Sequence, residues 1–575
     1  MKWGRRPTSV IALLLYLFAS AVLLLPGLRG PGYILGNHTP DVLSFIWYLA
    51  WWPQAFGHGW NPIFTRAIWW PTGVNLFWTT SIATPALLLS PVTAIFGPVA
   101  AYNVAVLLSP VLSAWATFEL CREVHGRFWP AIFGGAVAGF SSYEFRQLLN
   151  HLHCCMLFPI PLLALLAVRR FTGRSGRWVY IAAGAFFWLL LFGVSTEFFA
   201  TAVMIGAIYL TVGFLTEPRP EDRRRWAAIA RESAAALGIS LAFVIATAGP
   251  YLWRGYAGGK LWSAGVYSVD PVNLIVPTYT TWLGSALLAP VWHLFAGGRS
   301  DAEQGAYLGL PLILIALLAW RRSQGNCRCD HLKIMLTLTM ILALGPQLHT
   351  LNQKLPLPLP WLVISRIPVI QKALPGRLMF YVTLMLAVLT TGWLATKEVS
   401  SFKRIGAALL AVIFLIPNTS GGFWSTRFHT PRIFADASHP THAAIGHGVL
   451  IFPFGYHGWS MLWQVESHFA FSMVDGYTGI APGGFERNAL VQLWLSHGPI
   501  PAHYAAQLKV FIAVNHIRTV IAVGPLDARQ RRLIAPLGRP KAMVGNTEVF
   551  GRIPRWAAFE CVSPHRHQLA PAHGR

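Results

Sequence analysis

Acidic residues are scarce in this chain of 575 residues, which has 45 Lys and Arg but only 21 Asp and Glu. Charged residues of both signs make up 11% of the sequence, whereas hydrophobic residues make up 54%. The net charge of +24 does not indicate nucleic-acid binding, because the basic residues lie in short connections between apolar runs and form no concentrated patch. Composition therefore indicates a polytopic membrane protein.

Two kinds of motif are also missing. The six cysteines form no convincing disulfide framework. The basic loops contain no glycine-rich phosphate cradle, which argues against a cytoplasmic nucleotide-using enzyme. No internal repeat is visible.

Long apolar runs dominate the first 420 residues. Eleven of them approach the length needed to cross a hydrocarbon core of roughly 30 Å. They lie near 8–27, 99–120, 128–143, 154–168, 178–194, 197–216, 233–253, 306–320, 333–347, 377–396 and 404–418. Two shorter runs with prolines, 82–97 and 282–297, are interpreted as interfacial or re-entrant. The prediction is an α-helical polytopic membrane protein with about eleven transmembrane helices.

Basic residues predict the orientation. Alternate loops hold 21 Lys and Arg, namely 1–7, 121–127, 169–177, 217–232, 321–333 and 397–404. We predict that the chain lies in the plasma (inner) membrane. The positive-inside rule then places these loops and the N-terminus in the cytoplasm. Five ionisable residues then fall on the outer face: Asp41, Glu144, His151, His153 and Glu197. An ionisable group near membrane depth costs about 2.5–3.5 kcal/mol, so we expect each to be paired or functional.

The pattern changes near residue 420. Short β-type runs such as "GVLIFPF" and "RTVIAVG" then alternate with polar turns rich in glycine. We predict a transmembrane domain over 1–419, with a large first outer loop at 28–98, and a small extracytoplasmic α/β domain over 420–575.

Asp41 is the lone acid of "NHTPDVLSFIWYLAWW" in the first outer loop. Because Pro40 favours a helix start, one interpretation is that Asp41 caps the following helix. The other is that Trp47, Trp51 and Trp52 anchor this helix at headgroup level and that Asp41 acts as a general base toward an acceptor hydroxyl.

The second outer loop, "SSYEFRQLLNHLHCC", carries further candidates. A helix here would place Glu144, Gln147 and His151 on one face. A metal site from His151, His153 and a carboxylate is one option, and a polar hydrogen-bonding face is the other. Glu197, at the start of a later apolar run, is either a helix cap or a cavity-facing group.

Three cations in "WLVISRIPVIQKALPGRLMF", Arg366, Lys372 and Arg377, lie on the outer side against the positive-inside preference. We therefore expect these cations to pair with a negatively charged group. A phosphate group is one candidate, because guanidinium groups match phosphate oxygens in two-point geometry. A salt bridge to Asp41 or Glu144 is the other.

Several stretches resemble a known superfamily. A long outer loop after the first helix that opens with an acid, followed by "NPIF…WWPTGVNL", is similar to the GT-C superfamily of membrane glycosyltransferases, in particular to its bacterial family-39-like members. The stretches "GFSSYEFRQLLNHLH", "ISRIPVIQKALPGRLMFYVTLMLAVLTTG" and "KVFIAVNHIRTVIAVG" also resemble this group. Its characterised members often carry paired acids in the first outer loop, whereas Asp41 stands alone.

The resemblance implies an inverting transfer of a sugar from a polyprenyl-phosphate donor to an extracytoplasmic glycan, lipid or protein. Asp41 or Glu144 would then be catalytic, and the substrate would be bound by His151, His153, Glu197, Arg366, Lys372 and Arg377. Arg377 or Arg366 would stabilise the leaving phosphate. A divalent metal is left open as a cofactor. The alternatives are a transporter or flippase of lipid-linked sugars and a non-catalytic envelope-assembly protein with the same fold.

Overall fold

The computed structural model describes the chain in segments. These are residues 6–252, 264–296, 303–323, 327–351, 353–367, 370–420, 422–436, 446–479, 482, 484–485, 487–496 and 498–551. The end of the predicted C-terminal domain, after residue 551, lies outside the described residues.

Helices form most of the described structure. In chain order they are α1 Arg6–Leu24, α2 Pro40–Gly57, α3 Ala83–Leu88, α4 Ser90–Phe96, α5 Pro98–His125, α6 Phe128–Gly139, α7 Ser142–Leu148, α8 Pro159–Phe171, α9 Arg177–Val194, α10 Thr196–Thr216, α11 Pro220–Leu252, α12 Trp282–Ala286, α13 Ala289–Ala296, α14 Leu310–Arg322, α15 Cys327–Ala343, α16 Trp361–Ile364, α17 Met379–Ala395, α18 Ser401–Leu415, α19 Arg432–Ala435, α20 Ser460–Glu466, α21 Ala489–Leu495, α22 Tyr504–Val514 and α23 Ala528–Ile534. The strands are β1 Tyr33–Leu35, β2 Phe64–Thr65, β3 Val74–Asn75, β4 Gln347–Thr350, β5 Gln353–Pro358, β6 Ser425–Arg427, β7 His447–Phe452, β8 Ser472–Met473, β9 Thr519–Val523, β10 Ala542–Val544 and β11 Thr547–Phe550.

Contacts divide the chain into two compact units. Unit 1 comprises Met1–Asn37, Asn103–Thr247 and Leu261–Thr426, and unit 2 comprises His38–Tyr102, Ala248–Lys260 and Arg427–Arg575. Most of the predicted first outer loop thus belongs to the same unit as the C-terminal region. The domain boundary predicted at residue 420 stays a prediction.

Seven of the described helical segments are long and apolar enough to cross a membrane. They are Pro7–Gly27, Pro98–His125, Leu152–Phe171, Arg177–Val194, Thr196–Thr216, Pro220–Leu252 and Pro375–Ala395. Each overlaps one of the eleven predicted runs. The other four runs contain α6, α14, α15 and α18, with 12, 13, 17 and 15 residues. These are shorter than the roughly 20 residues of a typical span, so the count of eleven stays a prediction.

The two runs interpreted as interfacial or re-entrant form pairs of short helices. The helices α3 and α4 have 6 and 7 residues, and α12 and α13 have 5 and 8. None is long enough to cross a bilayer. Gly97, with φ +83, separates α4 from α5 in a backbone conformation that favours glycine.

Glycines let the central helices of unit 1 approach closely. A Cβ on Gly139 of α6 would clash with the Pro110 carbonyl of α5, and one on Gly134 would clash with Thr391 of α17. Small residues at such crossings are typical of helix packing within membranes, where backbones approach each other. These glycines therefore permit the close packing of α6 against α5 and α17 within unit 1.

A five-stranded sheet forms the centre of unit 2, with the strand order β10-β11-β9-β7-β8. The strands β8 and β9 run parallel to β7, and β11 and β10 continue the sheet antiparallel. Five of the six residues of β7 are buried, as expected for an apolar strand covered on both faces. Mixed α and β structure was predicted for this part of the chain. A separate domain over 420–575 stays a prediction.

Candidate functional site

Glu144 lies in the first turn of α7, whose N-cap is Ser141. The Ser141 hydroxyl accepts a hydrogen bond from the Glu144 backbone N–H at 3.1 Å, so the carboxyl group is not needed as a cap. Its side chain is fully buried, and neither carboxyl oxygen has a hydrogen-bond partner among the described residues. Burial raises the pKa of Glu144 well above its usual range. Burial therefore favours the neutral acid form of Glu144.

Gln147, one turn further along α7, joins a histidine to a second carboxylate. Its amide Nε2 donates to Oε2 of Glu303 at 3.0 Å, and its Oε1 lies 2.8 Å from Nδ1 of His151. Because an amide oxygen only accepts, the His151 ring carries its proton on Nδ1. Glu144, Gln147 and His151 were predicted to share one helix face. The helix instead ends at Leu148, and only Gln147 and His151 are joined.

Arg377 lies between two carboxylates. Its Nε and Nη2 donate to Oε1 of Glu303 at 3.0 and 2.8 Å, and its Nη1 donates to Glu197. Nη1 also lies 3.3 Å from Nε2 of His153, which must accept because a guanidinium only donates. Burial by itself raises the pKa of Glu303, but the charges of Arg377 and His151 and the hydrogen bonds from Arg377 and Gln147 together outweigh it, so the pKa is lowered. Arg377 is thus a buried structural cation with both of its acids in place.

Glu197 holds a loop as well as the arginine. The cap of α10 is Ser195, whose hydroxyl accepts from the Phe198 backbone N–H at 3.3 Å. The carboxylate of Glu197 instead accepts from Arg377 and from the Leu374 backbone N–H, the latter at 2.8 Å. The cap interpretation of Glu197 is therefore wrong. Its carboxylate ties the segment before α17 to the start of α10.

The three predicted cations have different surroundings. Arg377 is nearly buried and is paired with Glu197 and Glu303 rather than with Asp41 or Glu144. Arg366 is exposed, and no ion pair joins it to a carboxylate of the described chain. Lys372 is partly buried and follows Ile370 in a short 3₁₀ turn. Arg377 thus has a structural role, whereas Arg366 is exposed.

Asp41 lies in unit 2, in the first turn of α2. The N-cap is Thr39, whose hydroxyl accepts from the Val42 backbone N–H, so the cap interpretation of Asp41 is wrong. Its carboxylate accepts a hydrogen bond from the Tyr477 hydroxyl, and burial together with the Asp41 charge raises the pKa of Tyr477. The Asp41 carboxylate is therefore hydrogen-bonded to Tyr477, and Thr39 caps the helix.

Two of the three tryptophans of α2 are buried within the protein. Trp47 is fully buried and Trp51 is 3% exposed; their rings stack at 5.1 Å. Trp47 Nε1 donates to Oε1 of Gln464 at 2.7 Å, and Trp52 Nε1 donates to the Ser81 carbonyl at 2.9 Å. The prediction that Trp47 and Trp51 act as headgroup anchors is wrong, because both rings form part of the core of unit 2.

A family profile described as Domain of unknown function (DUF6311) matches residues 11–416. The chain belongs to the DUF6311 family. No curated protein matches this DUF6311 chain.

Solved structures match the fold across most of the DUF6311 chain. The arabinofuranosyltransferase AftD from Mycobacteria is 13% identical, with a TM-score of 0.53 over 91% of this chain and 35% of the AftD chain. The oligosaccharyltransferase AglB from Archaeoglobus fulgidus is 11% identical, with a TM-score of 0.53 over 91% of this chain and 70% of that one. The chain thus spans about a third of the length of AftD. These membrane glycosyltransferases have the GT-C fold, so the resemblance found in the sequence is confirmed for the fold.

The option of a metal site finds no support in the described part of this DUF6311 protein. No group of three or more His, Cys, Asp or Glu side chains there is arranged to hold an ion. The rings of His151 and His153 lie 5.8 Å apart, and His153 faces Arg377 rather than a carboxylate.

Sequence reasoning missed Glu303, the carboxylate that joins Gln147 to Arg377. It lies in a predicted outer segment with few acids, between apolar runs, which is the same signal that identified Asp41. Gly305, two residues later, allows this segment to touch α7, since a Cβ there would lie 3.0 Å from the Tyr143 Cα. The rule that an acid on the outer face is paired or functional, applied to every predicted outer loop, would have found Glu303.

Proposed function

We propose that this DUF6311 protein is an inverting membrane glycosyltransferase that moves a sugar from a polyprenyl-phosphate donor to an extracytoplasmic acceptor. The observation that carries the proposal is the likeness of its fold to AftD and AglB over 91% of the chain. AglB was solved in complex with a dolichol-phosphate, which supports a polyprenyl phosphate as the lipid carrier. The predicted outward orientation of the first loop supports an extracytoplasmic acceptor.

Asp41 is the proposed general base. It takes the proton of the acceptor hydroxyl as that oxygen bonds to the anomeric carbon and the bond from this carbon to the phosphate oxygen breaks. A carboxylate with no part in capping its helix is available for this role, because Thr39 already serves the helix start. The Tyr477 hydroxyl orients the carboxylate through its hydrogen bond. Polyprenyl phosphate leaves as the sugar is transferred.

Arg366 is the better candidate for the cation that stabilises the leaving phosphate. Arg377 already donates to two carboxylates, so a phosphate would have to displace one of them. Arg366 is exposed and has no such competitor among the described residues. A guanidinium in this state can meet phosphate oxygens in two-point geometry. Lys372 is the second candidate from the same segment.

Arg377 then has a positioning role. Through Glu197 it fixes Leu374, and through Glu303 it fixes α7. The segment from Ile370 to Leu378 that contains Lys372 is therefore held at both sides. His151 and His153 extend the same network. Their proposed role in substrate binding is indirect, since each faces a group of this network.

Glu144 differs chemically from Asp41. A neutral carboxylic acid at pH 7 can donate a hydrogen bond or a proton, but it is a poor base. The raised pKa of Glu144 therefore favours Asp41 as the base and leaves Glu144 as an acid or a hydrogen-bond donor.

The experiment that tests this function measures sugar transfer from a panel of polyprenyl-phosphate sugars by the purified full-length protein in liposomes. Wild type is expected to consume at least one donor, and Asp41→Asn is expected to lose on the order of a hundredfold in rate. The matched control is Asp527→Asn, which changes an Asp to Asn at the N-cap of α23, where Asn also caps well. If the Asn variant at position 41 is as active as the control, Asp41 is not the base. If no donor is consumed, the glycosyltransferase proposal fails.

A further inference from the structure

A large cavity lies within unit 1, on the side of the basic loops. Its volume is about 1190 Å³, above the roughly 300–1,000 Å³ of pockets for small molecules. Along α10 its lining extends from Ala202 to Leu215, and along α17 from Tyr381 to Trp393. At 1.5 Å per residue this is a length of roughly 20 Å along α10. The cavity is therefore longer than one leaflet of a hydrocarbon core about 30 Å thick.

The long walls of the cavity are apolar. They are formed by Ala, Val, Leu, Ile, Met and aromatic side chains of the spans, including Val203, Leu384 and Met385. At the far end, the Tyr381 hydroxyl is bonded to Thr201 at 2.9 Å. Water gains little in such a channel, whereas a hydrocarbon chain buries its whole length there.

Two of the spans that line this cavity have largely exposed outer faces. Only 22% of the most apolar window of Thr196–Thr216 is buried inside the protein, and the value for Pro220–Leu252 is the same. These two spans carry α10 and α11, which contribute Gly206 and Leu237 to the lining. The outer faces of these two spans therefore contact the lipid of the bilayer.

Charged groups gather at one end of the cavity only. Arg174 pairs with Glu123, and Arg322 pairs with Glu398. Arg322 and Glu398 are 40% and 75% exposed, so this pair is weak and can open toward another anion. Arg174 is 55% exposed and shares the buried Glu123 with Arg169, so Glu123 keeps one cation when Arg174 turns to another anion. This end is formed by the basic loops that the charge bias predicts to be cytoplasmic, where basic pockets between spans bind anionic headgroups.

Trp226 contributes an aromatic wall at the same end of the cavity. The residue is 7% exposed and packs between Phe171 and Tyr209. Its indole Nε1 is buried, so Trp226 offers the cavity its ring rather than a hydrogen-bond donor.

We propose that this cavity binds one anionic lipid, with its hydrocarbon chain between α10 and α17 and its phosphate group at Arg174 and Arg322. A membrane phospholipid and a polyprenyl phosphate share this chemistry of an anionic phosphate on a long apolar chain. Neither Asp41 nor Arg366 lines the cavity, and the proposal stands whether or not the chain transfers a sugar.

Native mass spectrometry of the full-length protein tests this proposal with three probes, phosphatidylglycerol, undecaprenyl phosphate and phosphatidylcholine. Wild type is expected to retain one molecule of an anionic probe in preference to phosphatidylcholine. Retention of phosphatidylglycerol identifies a membrane phospholipid as the occupant, and selective retention of undecaprenyl phosphate identifies the carrier; either supports the proposal. Equal retention of phosphatidylcholine overturns it.

Two glycines provide a matched pair of variants. A Cβ on Gly206 or on Gly238 meets open space, but only Gly206 lines the cavity, whereas Gly238 lies exposed on α11. Gly206→Phe is expected to reduce lipid retention at least tenfold, and Gly238→Phe to leave it as in wild type. Val203→Trp fills the cavity at another height if Gly206→Phe does not fold. Retention as in wild type by a folded filling variant overturns the proposal.

The headgroup contacts have their own test. Arg174→Ala and Arg322→Ala are each expected to lower retention of an anionic lipid about fivefold, as one basic residue near a membrane surface contributes about that factor. Retention of phosphatidylcholine is expected to stay the same. An equal loss for charged and zwitterionic lipids would mean that the phosphate group does not lie at these arginines.

Discussion

The guanidinium of Arg377 donates two hydrogen bonds to one oxygen of Glu303, at 3.0 and 2.8 Å, and both side chains are almost entirely buried. The other oxygen of Glu303 accepts from Gln147 at 3.0 Å, so the carboxylate is bonded on both sides. A buried ion pair adds little net stability over an apolar pair, but breaking it leaves a buried charge without compensation. Removing either Arg377 or Glu303 alone should therefore destabilise the fold far more than removing both side chains together.

The first prediction concerns this sensitivity. Glu303→Gln is expected to lower the free energy of unfolding by about 3 kcal/mol, because Arg377 keeps its charge and loses one of two buried carboxylates. The difference in the free energy of unfolding between wild type and Glu303→Gln should depend on pH. The lowered pKa of Glu303 means that its contribution is present above about pH 4.5 and is lost as pH falls through the pKa of the folded state. Thermal melting of the full-length protein in detergent measures both effects.

Its control is Glu398→Gln, which removes an exposed carboxylate from its pair with Arg322 and is expected to cost less than about 1 kcal/mol. The double variant of Glu303→Gln with Arg377→Gln is expected to cost less than the sum of its single changes, because the partners act as one unit. Additive costs, or a loss at position 303 no larger than at position 398, would contradict the prediction.

Much of the fold could be predicted from the sequence. Apolar runs of 15 to 22 residues can form only a few structures in a bilayer, and seven of them coincide with long helices. The parallel strands at the centre of the sheet in unit 2 were harder to predict from the sequence. Its strands β7 and β9 are short apolar runs far apart in the chain, and their pairing depends on contacts that a local pattern does not encode. The inclusion of His38–Tyr102 in the same unit is also a matter of such contacts.

The candidate site could be predicted in part. Scarcity of acids indicated that Glu144 and Glu197 are paired or functional, because a carboxylate in an apolar environment needs a reason to be there. In the structure Glu144 is buried and Glu197 is paired with Arg377. Their partners could not be assigned, since Glu197 meets Arg377 across 180 residues and Glu144 meets no partner in the described chain. Capping was also misassigned at Asp41. The hydroxyl of Thr39, two residues earlier, is the better acceptor for the first backbone N–H groups.

The second prediction is that Glu144→Gln is tolerated at pH 7. Wild type carries a neutral carboxyl there, so replacing it with a neutral amide of similar shape should change the free energy of unfolding by about 1 kcal/mol or less. A carboxyl with a raised pKa in the folded state makes stability fall as pH rises through that pKa. Wild type should therefore become less stable than Glu144→Gln in alkaline solution. Melting curves from neutral to alkaline pH measure the difference.

Infrared spectroscopy gives this prediction an independent measurement. The carbonyl band of a protonated carboxylic acid should be present in wild type at pH 7 and lost in Glu144→Gln. Glu303→Gln serves as the comparison, because the pKa of Glu303 is lowered and its substitution should remove no such band. Absence of the band in wild type would show that Glu144 is ionised and would return it to the candidates for a general base.

The third prediction concerns Asp475, which follows β8 in unit 2 and is fully buried. Burial raises its pKa to about 6, although the Ser460 hydroxyl at 2.6 Å and the Gly455 backbone N–H at 3.1 Å both donate to its Oδ2. The usual value is 3.8. Between these values the folded state binds more protons than the unfolded state, so stability falls as pH rises from about 4 to about 6. The loss is on the order of 3 kcal/mol.

Asp475→Asn should remove this loss, because the amide keeps one oxygen as the acceptor for Ser460 and Gly455 and does not titrate. The variant should therefore gain on wild type by roughly 3 kcal/mol as pH rises across this window, which chemical unfolding of the full-length protein at pH 4, 5, 6 and 7 measures. Ser460→Ala provides the matched change, since loss of a donor to the carboxylate raises the pKa of Asp475 further and should move the window to higher pH. Parallel pH profiles for wild type and Asp475→Asn would mean that the Asp475 carboxyl keeps one protonation state from pH 4 to pH 7, and the buried hydrogen bonds of Ser460 and Gly455 would then outweigh desolvation.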